Sequence, residues 1–551
     1  MSRDVTNQNL IESKEPDKIN LKKVFIVTAI CSILIIIVVV GIILIIKENL
    51  KSELNVTVDT IYPNIPNNTK IESSTYLPNG KILICYAEKN HQDKTIAIIN
   101  DDGTELKEII KSNYRFYEKS NGFRMMPFTD GKRVLLGDSI LECEPSIDNC
   151  KNPVVLKVQY PDDIVNDKTV MFIWSEIVIS QDSKYIAWTT LSTKFGAINF
   201  IGELKRENDR YLLTNVQIIS NLELTKSNDG IIEMPPVRGG EIKQFVSGGT
   251  ALTVAGSENY GIAKSMWQDL NSDRIIPLSH EPGYDETTIL SPDEKLGVTM
   301  STRFSPNTNF AILGLVPLPN GALITSKMNR YVYTFAVTNV RNGKNKGNVG
   351  PVLTEIEKSA EDPSYHGIPL HQDNWTFMSP ISWNPSNLKV SWMETNPSSE
   401  THIRVATIHN YKLNKNVPTR DTPSNIKYAL DFDEYNKPIN KSVNGKLIGK
   451  QGEIQVAFSL TNSSSYYNNF SDDDKTFYNG IIEFHIASNG EASLSSNINI
   501  TGQNKGEMDF RITFSPSNEL LFDLDSDNKP KSYGHVKYNG KTIDVETYRQ
   551  H

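Results

Sequence analysis

The chain lacks the short motifs that mark the commonest hydrolytic and nucleotide chemistries. Its 551 residues contain no G-x-S-x-G elbow, no P-loop and no H-E-x-x-H. That removes the usual serine-hydrolase, phosphate-cradling and zinc-protease arrangements. Positive charge is also scarce, with 57 Lys and Arg against 65 Asp and Glu, a formal net charge of -8. Neutralising phosphates needs clustered Lys and Arg, and no basic stripe occurs beyond the N-terminal tail, so nucleic acid is excluded as a partner. Helical periodicity is almost missing after residue 70, which leaves an all-β domain.

Cysteine is rare as well, at four residues. Cys31 lies in an apolar run and Cys85 in a predicted strand, so both read as buried thiols. Cys143 and Cys150 flank the polar loop ECEPSIDNC. A disulfide closing that loop is expected, with a pair of free thiols as the alternative; without nearby His the pair makes a poor zinc site.

One long apolar run is present. Val24 to Ile46 is nearly all Ile, Val and Leu, long enough to cross a hydrocarbon core of roughly 30 Å. It exceeds the apolar core of a signal peptide, and no small-x-small cleavage site follows, so a retained signal-anchor is expected. Arg3, Lys14, Lys18, Lys22 and Lys23 precede it, whereas Lys47 and Lys51 alternate with Glu48 and Glu53 after it. The basic excess predicts a cytoplasmic tail (1–23), a membrane helix (24–46), a stalk or edge strand (47–70) and an extracytoplasmic domain (71–551), a single-pass type II arrangement. Sequons at Asn55, Asn67, Asn374, Asn440, Asn462, Asn469 and Asn499 all lie beyond the helix, as glycosylation would require.

Within 71–551 one unit recurs: an apolar strand, a Ser-Pro-Asp-like turn, and a second apolar strand. Copies begin at Tyr76, Phe128, Ile179, Phe245, Leu290, Ile381 and Phe514, with a weaker one near Glu453. Most lie roughly 45–65 residues apart, the spacing of four-stranded propeller blades with their loops. Pro presets one turn angle, Asp or Asn caps the turn, and Gly or Asn takes a left-handed position.

The turns Leu290-Ser291-Pro292-Asp293, Phe514-Ser515-Pro516-Ser517 and Ile179-Ser180-Gln181-Asp182 resemble the TolB-type, WD40-like propeller repeat. The resemblance implies a β-propeller of six to eight blades, seven favoured, and nothing specific about activity. A looser likeness links Gly283–Phe304 and Gly506–Pro516 to fungal saponin hydrolases, secreted propeller-like glycosidases. No catalytic residue is carried over from that family. An anchor followed by a propeller is also similar to the dipeptidyl-peptidase family, but the repeats run to Asp523 and leave too little chain for its hydrolase domain. A serine peptidase is therefore not expected.

In a propeller the first strand of each blade lines the channel, so residues just before the turns approach one mouth. That register nominates Glu176, Asp285, Glu286 and Asp509 as candidate catalytic carboxylates, and Arg124, His280, Arg303, His371 and Arg511 as candidate ligand-binding groups. Paired carboxylates beside Arg suit a sugar or an organic acid. The plainer reading is that residues preceding strands are polar because they are wet. His366, His371 and Asp373 form a weak metal pattern, and no metal is assigned. Asp523-Leu-Asp525-Ser-Asp527-Asn528 spaces oxygens as a calcium loop begins, without the Gly and distal Glu of an EF-hand; no other cofactor is expected. The expected function is binding of a glycan, peptide or protein partner at the channel mouth. The alternative is a glycosidase, for which a carboxyl separation of about 5–5.5 Å or 6.5–9.5 Å would distinguish retention from inversion. The Ser291-Pro292-Asp293 turn itself is expected to serve stability alone.

Overall fold

The computed structural model describes residues 54–549 apart from 89–92, 114–115, 118–123, 172, 174, 193–194, 223–225, 234–237, 257–261, 304–310, 317–348, 363, 371–374, 437–442, 460 and 518. The tail and apolar run (1–46), His371, Asn374 and Asn440 lie outside the described residues. Among the described residues no helix is long and apolar enough to cross a membrane.

The recurring turn is built as its residues dictate. Ser291 Oγ donates to Asp293 Oδ1 at 2.5 Å and accepts from Leu296 N at 3.1 Å, while Asp293 Oδ1 accepts from Lys295 N at 3.2 Å. Ser180 and Asp182 repeat this, at 2.5 Å between side chains and 3.0 Å from Tyr185 N. The fourth residue of each turn, Gly80, Gly131, Ser183, Glu294 or Asn387, takes a φ between 56° and 85°. Glu and Ser rarely adopt that region, so the side-chain caps hold them there.

Each of these turns joins an inner strand to a second strand buried on both faces. The inner strands are Thr69–Tyr76, Met125–Pro127, Val178–Ile179, Glu241–Val246, Asp285–Leu290 and Thr376–Trp383. Three successions, within 69–112, 241–277 and 285–369, are separate four-stranded antiparallel sheets. Those within 125–159 and 170–218 merge through a parallel pairing of Tyr211 with Val158 and Leu212 with Gln159. The strands within 376–409 gain their outer partner from Asn55–Ile61, so one sheet is closed by chain from both ends of the domain. This segment falls in the stretch expected as a stalk or edge strand.

Neighbouring sheets pack through apolar clusters. Leu83 and Ile96 meet Val134 and Leu141; Leu135 meets Ile186 and Trp188; Ala187 meets Ile242 and Leu252; Ala251 meets Leu290. Trp383 Nε1 donates to Ile289 O at 2.9 Å, and Met393 and Val405 return to Ile71 and Ile82. The succession closes on itself, which is the strand plan of a β-propeller. Second strands such as Leu296–Ser301 are buried throughout, and each large aliphatic side chain there contributes about 1.5–3 kcal/mol.

The chain after residue 443 departs from the expected plan. Ten strands, Lys226–Asn228, Ile231–Glu233 and eight within 443–544, form one sheet of their own. Leu494, Ile498 and Ile500 are buried on one face, and Asn497 and Asn499 are exposed on the other, the alternation of a half-solvated antiparallel sheet. The copies expected near Glu453 and at Phe514 belong to this sheet. Gly506–Phe514 has Ala492–Gly502 on one side and, along 506–511, Tyr533–Tyr538 on the other. The chain returning from the Ser515-Pro516 turn therefore makes only a single bridge, Phe514 with Leu520, and not a second blade strand.

A strap without regular structure, 411–430, connects the two parts by running across four successive turns. Asn416 meets Asn387 at 2.7 Å, Val417 N donates to Pro292 O at 2.8 Å, and Arg420 N to Gly248 O at 2.8 Å. Thr422 N then donates to Asp182 Oδ2 at 2.8 Å.

Candidate functional site

The N-terminal ends of the inner strands, opposite the turns, gather charge. Lys243 lies on the strand Glu241–Val246 with its ammonium 3.3 Å from Glu176 and 3.6 Å from Glu286, and it also pairs with Glu241. Arg124 enters the same cluster by donating to the Lys243 carbonyl. Ser175 Oγ donates to Glu176 at 2.9 Å, and the Tyr284 hydroxyl to Glu286 at 2.8 Å. Four successive strand groups thus contribute to one ionic cluster. Burial alone would lower the Lys243 pKa, but the three carboxylates hold it well above the ordinary lysine value.

Beside it stands a second cluster. Arg303 Nη2 lies 3.0 Å from Asp285 Oδ2 and 3.1 Å from Ser359 Oγ, and its Nε 3.7 Å from Glu281. Lys264 Nζ is 3.7 Å from Asp285 and donates to the carbonyls of Glu281 and Gly283. Against the burial that would raise it, Arg303 and Lys264 hold Asp285 below the usual carboxylate range. Burial first, and Asp285 beside it, push Glu281 up to about 7. His280 is half-buried at the rim, its pKa lowered by burial and then by Lys264.

The sequence register therefore brings Arg124, Glu176 and Glu286 into one cluster, and Asp285, Arg303 and His280 into its neighbour. Asp509 and Arg511 do not join them. Both lie on the exposed face of the ten-stranded sheet, opposite Asn497 and Ser495. The placement by register fails there because their strand has no blade to belong to. The groups that do converge are closed off: side-chain exposure is 8 % for Glu176, 3 % for Glu286, 0 % for Asp285 and 1 % for Arg303. A general acid or base must touch its substrate, whereas these carboxylates touch cations of neighbouring strands.

Two comparisons find nothing: no family model matches the chain, and no curated protein does. Among solved structures, TolB from Acinetobacter baumannii is 12% identical over 62% of this chain and 65% of that one, with a TM-score of 0.29. An oligogalacturonate lyase from Vibrio parahaemolyticus is 10% identical over 65% of this chain and 98% of that one, TM-score 0.34. The β-propeller domain of the Trilobed protease from Pyrococcus furiosus is 8% identical over 65% and 98%, TM-score 0.30. The structural neighbours are TolB and other propeller proteins. At these scores they carry no argument about activity, and the strand plan rests on this chain's own pairings.

Lys243, Glu241 and Lys264 were not singled out by sequence. The signal was there in Glu241-Ile-Lys243, two charges on one face of a strand otherwise apolar enough to be buried. The loop cysteines are joined, Cys143 to Cys150. Asn55, Asn67, Asn462, Asn469 and Asn499 are exposed. In the suggested calcium loop, Asp525 accepts from the backbone of Asp527 and Lys529, both at 2.9 Å, and Asp523 pairs with Lys531 at 3.0 Å. Those carboxylates are occupied in shaping the hairpin.

Proposed function

We propose that the chain is a recognition protein: a six-bladed propeller with an added sheet, held outside the membrane by the helix 24–46 in type II orientation, binding a glycan, peptide or protein partner. The observation that carries the reading is the burial of the converging ionisable groups, each neutralised by a neighbouring strand's charge. Such a cluster joins blades, and none of its own carboxylates is accessible as an acid or a base. The basic flank before residue 24, the Cys143–Cys150 bridge and the exposed sequons support an oxidising, extracytoplasmic setting. Six inner strands among the described residues support a count of six in place of the seven favoured by the sequence spacing.

One observation favours the glycosidase alternative. Glu281 and Asp285 are pushed apart in pKa, as the acid and base of such enzymes are. Their burial, 3 % and 0 % exposed, weighs against it. The test is to incubate the full-length chain with a panel of glycosides, alongside Glu176→Gln and Asp285→Asn. No sugar release is expected from any of the three. Release that either variant abolishes, with the wild-type melting temperature retained, would replace the binding reading by the enzymatic one.

A further inference from the structure

The exposed face of the ten-stranded sheet holds a groove of about 580 Å³, lined among others by Asn444, Ser464, Glu483, His485, Ser495 and Arg511. We propose that this groove binds a carboxylate-bearing saccharide, with Arg511 receiving the carboxylate. The proposal rests on the reading of the chain as a binding protein, but places the ligand on this sheet and not at the propeller's channel.

The register lays the lining side by side. Asn444 faces Ala457, which faces Ser464; Ser464 faces Glu483, Glu483 faces Ser495, and Ser495 faces Arg511. Glu483 and Arg511 are thus two strands apart, about 10 Å, with a short serine between them. Among the described residues neither side chain makes a hydrogen bond or a salt bridge, although the Arg511 charge, after the Lys529 backbone N–H, helps hold the Asp525 carboxylate below its usual range. That separates them from Glu507, which bonds His535 at 3.0 Å and pairs with Lys537, and from Lys446, 3.0 Å from Glu453. An exposed guanidinium left unpaired presents a planar fork that matches a carboxylate.

The rest of the lining selects a saccharide over a peptide. The groove lies in mid-sheet, where the strands pair on both sides and the backbone is already committed. An extended peptide binds by adding to an edge strand, which this position does not offer. What remains is a row of hydroxyl and amide groups beside Ala457, Phe458 and Phe484, donors and acceptors suited to sugar hydroxyls, with Glu483 as a further acceptor. Tyr533 sits directly opposite Arg511 and is 45% exposed, a ring whose flat face suits the apolar side of a sugar. The volume lies within the range of small-ligand sites. Asn462, which opens a sequon, also borders the groove, with its side chain 2.5 Å from His485 Nδ1, so a glycan attached there would stand over the site.

Calorimetry on the full-length chain, treated with endoglycosidase, tests this with three probes: a trimeric uronic acid, its methyl ester, and an aspartate hexapeptide. The uronate is expected to bind, the ester at least tenfold more weakly, and the peptide no better than the ester. Arg511→Ala is exposed and should leave the melting temperature unchanged while weakening uronate binding at least tenfold. No uronate binding, equal affinity for the ester, preference for the peptide, or an Arg511→Ala variant that binds as well as wild type would each overturn the proposal. Sugar release in the glycoside panel would instead overturn the binding reading and leave the groove's affinity as a separate fact.

Discussion

Lys243 Nζ lies 3.3 Å from Glu176 Oε2, linking one inner strand to the residue that leads into the inner strand before it. Exposed pairs of this kind contribute little, because water screens them and long side chains lose freedom. This one is buried, with exposures of 2% and 8%. There the asymmetry rules: the intact pair gives little net stability, but removing one partner leaves a stranded charge.

The turn residue Asp293 gives a second expectation. Its carboxylate accepts from Ser291 at 2.5 Å and Asn414 at 3.1 Å, and from the Tyr411 hydroxyl. Asp293→Ala removes the turn's cap and the start of the strap together. Hydrogen bonds to a charged group contribute about 1.5–3 kcal/mol, so unfolding should come at lower denaturant by about that much. Limited proteolysis should also cut within 411–425 faster than in wild type. Faster cutting with unchanged stability would show that Asp293 holds the strap alone.

Glu281 sets a pH dependence. Its folded pKa, about 7, stands above the ordinary 4.5. Between those values the unfolded chain releases a proton that the folded chain keeps, so this group's contribution to stability falls as pH rises through that window. Asp285, held below its ordinary 3.8, acts only at lower pH, its stability being lost as pH falls through the folded pKa. Denaturation between pH 4.5 and 7.5 should therefore show a decline that Glu281→Gln flattens. An unchanged slope in that variant would assign the decline elsewhere.

The Cys143–Cys150 bridge closes a short loop, the cysteines seven residues apart. Chain entropy for a loop of this size gives about 2–3 kcal/mol. Cys143→Ser with Cys150→Ser should lower stability by about that amount without altering ligand binding, because the loop is remote from Arg511 in sequence and belongs to another sheet.

Much of the architecture was legible because the turn has a local grammar. Ser180-Gln181-Asp182 and Ser291-Pro292-Asp293 differ at the Pro, yet the Ser and Asp side chains that build the turn are the same. The grammar misled at Phe514, where Ser515-Pro516 follows a strand already paired with the preceding Ala492–Gly502 and with the later Tyr533–Tyr538. Local pattern cannot report which sheet a strand joins. The site was half legible for the same reason. Register placed Arg124, Glu176 and Glu286 together, since all lie at the start of inner strands. It could not show that Lys243, from inside the next strand, neutralises both Glu176 and Glu286. The strap's grip on Asp182 and Asp293 was also invisible, because 411–430 has no periodicity to read. The turn is therefore more than a stability device: it is the mooring for the connection to the second sheet.

The central claim is that Glu176, Lys243 and Glu286 join blades and do not act on a ligand. A double-mutant cycle tests it most directly, using unfolding free energies of wild type, Lys243→Met, Glu176→Gln and the double variant. Lys243→Met alone should cost about 3–5 kcal/mol, and the double variant should recover at least about 1 kcal/mol of the summed single losses. Strict additivity, with both single variants near wild-type stability, would contradict the account.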